Sequence, residues 1–116
     1  MTYIEIAGVR YPATIHGRQR DPEWDNRQSK AITLEMTHEE AVNTFVDGLA
    51  WNIVYQGESY QDATGNTVTP DPEIYDNSEY DVAGPVTDNR DGTVTVKMGV
   101  LTAEEALAEL MEVLNV

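Results

Sequence analysis

The chain has 116 residues and no cysteine, and its 21 acidic residues against seven basic ones give a formal net charge of −14. This length predicts a single domain, residues 1–116. The lack of cysteine excludes disulfides, a thiolate nucleophile and a sulfur-ligated zinc site. The negative charge opposes direct binding to a nucleic-acid backbone.

The charge is unevenly spread along the chain. Residues 1–34 hold five basic and four acidic residues, a balance of +1, and residues 35–116 hold two basic and seventeen acidic residues, a balance of −15. No segment approaches the roughly 18 consecutive apolar residues that a membrane span needs, and the N-terminus shows no charged leader. We therefore expect no membrane partner and a protein kept in a reducing compartment.

The first third of the sequence predicts a hairpin followed by a loop. Apolar and polar residues alternate on both sides of Gly8, which predicts strands over 2–7 and 9–16, with Pro12 marking an edge or a bulge. Residues 17–28 are polar and show no periodicity, so we expect a loop there.

The next stretch predicts a strand, a helix and a strand in close succession. Alternation over 30–36 indicates a strand with one buried face. Thr37 and Glu40 form a capping box at the start of a predicted helix over 38–47, and alternation resumes over 50–56.

Two further strands and a second helix follow. The pair Gly65-Asn66 is typical of a hairpin tip between short strands, and alternation predicts strands over about 79–88 and 93–98. Thr102 and Glu105 form a second capping box, before an apolar stripe at helical spacing that predicts a helix over about 103–115.

Together these elements predict an α+β fold: a mainly antiparallel sheet of about six strands with two helices packed on it. The strands and both helices contribute apolar side chains at the periodic positions. The predicted core comprises Ile32, Leu34, Phe45, Ile53, Val94, Val96, Leu107 and Leu110.

The sequence carries no signature of catalysis or of metal binding. His38-Glu39-Glu40 begins like a metalloprotease helix, but Val42 occupies the place of the second histidine. A calcium loop aligned on Gly92 fails because Thr87 and Met98 would fill ligand positions. We therefore expect a protein that is not an enzyme and has no metal site and no cofactor.

The polar segment after the first hairpin is the candidate site. It combines Arg18, Arg20 and Arg27 with Trp24, and this composition is typical of protein interfaces. We predict that these four residues bind a partner. The alternative is a loop that is pinned by Trp24, with its arginines paired to nearby acids.

Three stretches carry a resemblance to known proteins: IAGVRYPATIHGR, DPEWDNRQSKAITLEMTHEEAVNTFVDGLAW and YDNSEYDVAGPVTDNRDGTVTVKMG. They resemble a family of small proteins that prophages and tailed phages of Gram-positive gut bacteria encode among their tail and structural genes. The resemblance implies a tail-associated structural or assembly role, with no catalytic residues, in the cytoplasm of the bacterial host or in the virion.

Two functions remain open. One is a phage structural or tail-assembly component that contacts other phage proteins or its own copies; the other is an acidic effector or nucleic-acid mimic that occupies a basic site on a host protein. The assembly role would be served by a head-to-tail contact, in which Arg18, Arg20 and Arg27 dock on the acidic residues 35–116 of a neighbouring copy. Because the net charge opposes self-association, we expect a monomer or weak homo-oligomer, with any association reduced more by Trp24→Ala than by Arg10→Ala.

Overall fold

The structure, a computed structural model, describes residues 1–114. A seven-stranded sheet dominates it, and a separate two-stranded hairpin lies beside the sheet. In chain order the elements are β1 (Thr2–Ile6), β2 (Val9–Asp21), β3 (Arg27–Glu35), α1 (His38–Thr44), β4 (Asn52–Tyr55), β5 (Tyr60–Gln61), β6 (Thr67–Val68), β7 (Glu73–Asp76), β8 (Val82–Asp88), β9 (Thr93–Gly99) and α2 (Ala103–Leu114).

The large sheet has the strand order β7-β4-β1-β2-β3-β9-β8, and every neighbouring pair is antiparallel. The long strand β2 joins its two halves, since residues 9–12 pair with β1 and residues 13–21 pair with β3. The predicted α+β class is confirmed, with one more strand in the main sheet than expected. The hairpin of β5 and β6, with Gly65 at positive φ, is the one that Gly65-Asn66 predicts.

The core lies on one side of the sheet. Ile32 and Leu34 of β3 pair with Val96 and Val94 of β9, and all four side chains are almost completely buried. Helix α1 closes this side with its buried residue Ala41 and with its C-cap, the buried Phe45. The six core positions predicted in the strands and in the first helix are therefore confirmed: Ile32, Leu34, Phe45, Ile53, Val94 and Val96.

The predicted burial of Leu107 and Leu110 is wrong. Helix α2 forms, but it extends away from the sheet, and both leucines are more than half exposed. The dimensions agree with a projecting helix: the principal extents are 67 × 34 × 26 Å and the Cα radius of gyration is 17.5 Å. A compact chain of this length would have a radius of gyration of about 13 Å.

Some predicted boundaries also change. The segment 17–28 is not a loop, because β2 continues to Asp21 and β3 begins at Arg27, which leaves a short turn over 22–26. The strands of that hairpin are polar on both faces over this segment, so the sequence shows no alternation of apolar and polar residues there. Helix α1 ends at Thr44 and not at 47, with Phe45 as its C-cap. Residue 115, the predicted end of the second helix, lies outside the described residues.

Candidate partner-binding surface

The turn between β2 and β3 folds back over the outer side of the sheet, opposite the core. Trp24 lies against β8 and β9 at two glycines: a Cβ at Gly84 would be 2.6 Å from Trp24 Cη2, and a Cβ at Gly99 would be 2.9 Å from Trp24 Cζ3. Real Cβ atoms essentially never come so close. The two glycines therefore make the room in which the indole ring packs.

Arg27 packs on the indole and connects it to α2. Its guanidinium lies 4.6 Å from the centroid of the Trp24 ring, within the range of a cation–π interaction. Nη1 and Nη2 donate to the two carboxylate oxygens of Glu105, at 2.5 and 2.9 Å, and Nη1 also donates to the carbonyl of Val100. We call Trp24, Arg27, Gly84, Gly99 and Glu105 the Arg27 cluster.

Glu105 is fixed from two directions. It completes the predicted capping box, since Thr102 N donates to its carboxylate and Glu105 N donates to Thr102 Oγ1. The bond from Arg27, with the bonds from Thr102, lowers the pKa of Glu105 to about 2. The same pair raises the pKa of Arg27, so both groups are charged at neutral pH.

A second cluster of charges lies at the end of the same hairpin. The buried carboxylate of Asp21 accepts a bond of 2.7 Å from Lys97 Nζ, while Ser29 and the backbone of Glu23 also donate to it. The bond from Lys97 lowers the pKa of Asp21, and the pKa of Lys97 rises in return. A buried acid held in this way fixes the turn, and it has no free oxygen facing a cleft.

The structure brings Arg20 and Arg27, two of the four predicted site residues, together: they line one open cleft of 690 Å³ with the first turn of α2. Trp24 is half-buried and Arg27 is buried, and both are engaged within the Arg27 cluster. Arg18 and Arg20 are exposed on β2, and Arg18 lies 3.8 Å from Asp21. The geometry thus matches the alternative of a pinned loop for Trp24 and Arg27, and it leaves Arg18 and Arg20 accessible to a partner.

The largest exposed apolar feature of α2 is a stripe along the side that points away from the sheet. Leu107, Leu110, Met111 and Leu114 are 56%, 55%, 54% and 73% exposed. We call these four residues the apolar stripe. Of these four, the sequence predicts Leu107 and Leu110 to lie in the core, because helical periodicity identifies an apolar side but does not show what covers it.

The opposite, polar side of α2 faces the body of the molecule. Glu105, Ala108 and Glu109 line an open cleft of 470 Å³ together with Asp47 and Asp81 from the body. Carboxylates on both walls repel each other, which opposes closure of the helix onto this side. The Glu105–Arg27 pair holds the first turn, so the helix is attached through its polar side and its apolar stripe is turned outward.

Lys30 belongs to a further polar group that the sequence does not reveal. Its ammonium lies 4.4 Å from the centroid of the Tyr80 ring and donates to Asn77 Oδ1, and burial lowers its pKa. Asn77 N donates to the carbonyl of Trp51, and Tyr80 N donates to the carbonyl of Asn77. Lys30 therefore braces the connection between β7 and β8.

The residues that hold α2 were only partly recognisable in the sequence. The capping box identified Glu105 as a first-turn acid, but nothing in its spacing pointed to Arg27, 78 residues away in the chain. Neither Gly84 nor Gly99 has a positive φ, and nothing in the sequence indicates that both make room for Trp24. Within residues 1–114, no group of three or more His, Asp or Glu side chains is placed to hold a metal ion.

Fold and surface together define an α+β protein with a seven-stranded antiparallel sheet and a projecting amphipathic helix. No helix in the described part of the chain has the length and apolar character to cross a membrane. Comparison with protein-family models, with curated proteins and with solved structures finds no match for the chain.

Proposed function

We propose that this protein is a non-enzymatic structural or tail-assembly component of a tailed phage or prophage that acts through protein–protein contacts. The observation that carries the proposal is the outward apolar stripe of α2, because an exposed amphipathic helix is suited to contact and not to catalysis. The phage context comes from the three stretches that resemble tail-associated proteins.

The placement of the side chains that could act as catalytic acids or bases also supports a non-enzymatic role. His16 and His38 are both exposed and lie on different elements. The most deeply buried acid, Asp21, is held by Lys97. Lys30, the one described lysine whose pKa is lowered, is engaged with Asn77 and Tyr80.

The second candidate is an acidic effector that occupies a basic site on a host protein. Its support is the net charge of −14 together with the internal pairing of several cations, among them Arg10 with Glu5 and Lys97 with Asp21. Such an effector would present a continuous acidic surface. The apolar stripe interrupts that surface, which favours the assembly role.

Mass spectrometry of purified virions and of tail-assembly intermediates tests the proposal. We expect the protein in one of these two fractions at a fixed ratio to the other structural proteins, with a cytosolic phage enzyme as the control for contamination. Absence from both fractions, combined with a stable complex with a basic host protein, would overturn the assembly role in favour of the effector.

A further inference from the structure

We propose that α2 is the ligand helix of a helix-in-groove complex, and that its partner is a different protein with an apolar groove rimmed by lysine or arginine side chains. The apolar stripe occupies positions i, i+3, i+4 and i+7, the anchor spacing of helices that dock in grooves. The inference does not depend on a phage partner, so its test is separate from that of the proposed function.

The orientation of α2 is built into the fold. The buried guanidinium of Arg27 binds both carboxylate oxygens of Glu105 and is itself packed on Trp24. Because Glu105 lies on the side of the helix opposite Leu107 and Leu114, this attachment turns the apolar stripe away from the sheet. The outward orientation of the stripe therefore follows from a defined contact, the pair of Arg27 and Glu105, and not from the absence of contacts.

The charge of the helix indicates the chemistry of the partner. Residues 101–116 contain no lysine or arginine and four glutamates. Glu104 borders the apolar stripe, while Glu105, Glu109 and Glu112 lie on the other side of the helix. A groove that encloses the stripe brings one rim beside Glu104, where basic side chains provide complementary charge, and the other three glutamates add to the negative charge of the helix.

A second copy of the chain fits this surface poorly. Two stripes packed together would bring two helices that each carry four glutamates and no basic residue into contact, in addition to the repulsion between subunits of charge −14. The stripe is about 12 Å long, too short for one helix pair to bury the roughly 800 Å² per partner of a standard interface.

The apolar cleft on the sheet is also a poor partner for α2. This open cleft, of 850 Å³, is bordered by Tyr11, Pro12, Leu34 and Tyr55, and its described lining includes Glu35 and no lysine or arginine. An acidic residue at that position repels the glutamates of α2. Charge therefore favours a basic partner over a second copy.

The test uses the full chain and a synthetic helical hairpin that has a leucine-lined groove between its helices and lysines along both rims. We expect fluorescence anisotropy to show saturable binding of the labelled hairpin. The variant Leu107→Ser/Leu110→Ser should bind about tenfold more weakly or worse, because two anchors are lost while every charge is kept. Val42→Ser, which removes an exposed apolar side chain of α1, is the matched control and should bind like the wild type.

Three results would overturn the inference. One is that the wild type binds no better than the double serine variant, either because neither binds or because both bind equally. Another is equal binding of a hairpin whose rim lysines are replaced by glutamates, which would show that charge does not select the partner. The third is self-association of the wild type, measured by sedimentation, that the double serine variant loses, because the second copy would then be the occupant.

Discussion

Trp51→Ala is expected to lower the free energy of unfolding by about 3–5 kcal/mol, the cost of truncating a large buried aromatic side chain. Trp51 is 1% exposed, and its indole N–H donates to the carbonyl of Tyr80 at 2.9 Å. The substitution leaves a cavity in the buried core and a buried carbonyl without its donor. Denaturant unfolding followed by circular dichroism measures the effect.

Val46→Ala provides the control for this substitution. Val46 lies just after α1, but 47% of it is exposed, so its truncation should change the free energy of unfolding by no more than about 0.5 kcal/mol. A loss below about 1 kcal/mol for Trp51→Ala would show that the connection from α1 to β4 is not part of the core.

Gly99→Ala is expected to lower the free energy of unfolding by about 1–3 kcal/mol, the usual cost of overpacking. Its Cβ would lie 2.3 Å from Arg27 Cδ and 2.9 Å from Trp24 Cζ3. Neither side chain can easily retreat, because Arg27 is buried and bound to Glu105. We also expect faster hydrogen exchange in the first turn of α2, which depends on Glu105 for its cap.

Gly17→Ala is the matched control, since Gly17 has no positive φ and a Cβ there meets no atom within 4 Å. It should leave both the free energy of unfolding and the exchange of α2 unchanged. Equal effects of the two glycine substitutions would contradict the close packing of Trp24 and Arg27 on β9.

The sheet was largely predictable because its strands have one buried side. The alternation over 30–36 and 93–98 identified β3 and β9, and the side chains that it marked as inward are buried. The hairpin end over 17–28 escaped prediction because its strands are polar on both sides. Its pairing is set by backbone register and by Asp21 with Lys97, residues 76 positions apart.

The position of α2 could not be predicted from its own residues. Its periodicity gave the helix, its capping box gave the start, and both are correct. The side that faces the body is set by Arg27, which is distant in sequence and binds Glu105. The carboxylates of Asp47 and Asp81, in the cleft beneath the helix, only oppose a closer approach. An apolar stripe indicates that something covers it; in this fold, the sheet does not.

The same contacts explain the mixed outcome for the candidate site. Arginine and tryptophan in one polar segment indicate either an interface or an internal cation–π pair, and composition does not separate the two. Trp24 and Arg27 form the internal pair. Binding of a partner by the four predicted residues, Arg18, Arg20, Trp24 and Arg27, stays a prediction.

Small-angle X-ray scattering tests the projecting position of α2 most directly. Data extrapolated to zero protein concentration, so that self-association does not lengthen the particle, should give a radius of gyration close to 17.5 Å and a longest dimension near 67 Å. A radius of gyration of about 13 Å, the value for a compact chain of this length, would show the helix folded onto the sheet. That result would contradict an outward apolar stripe.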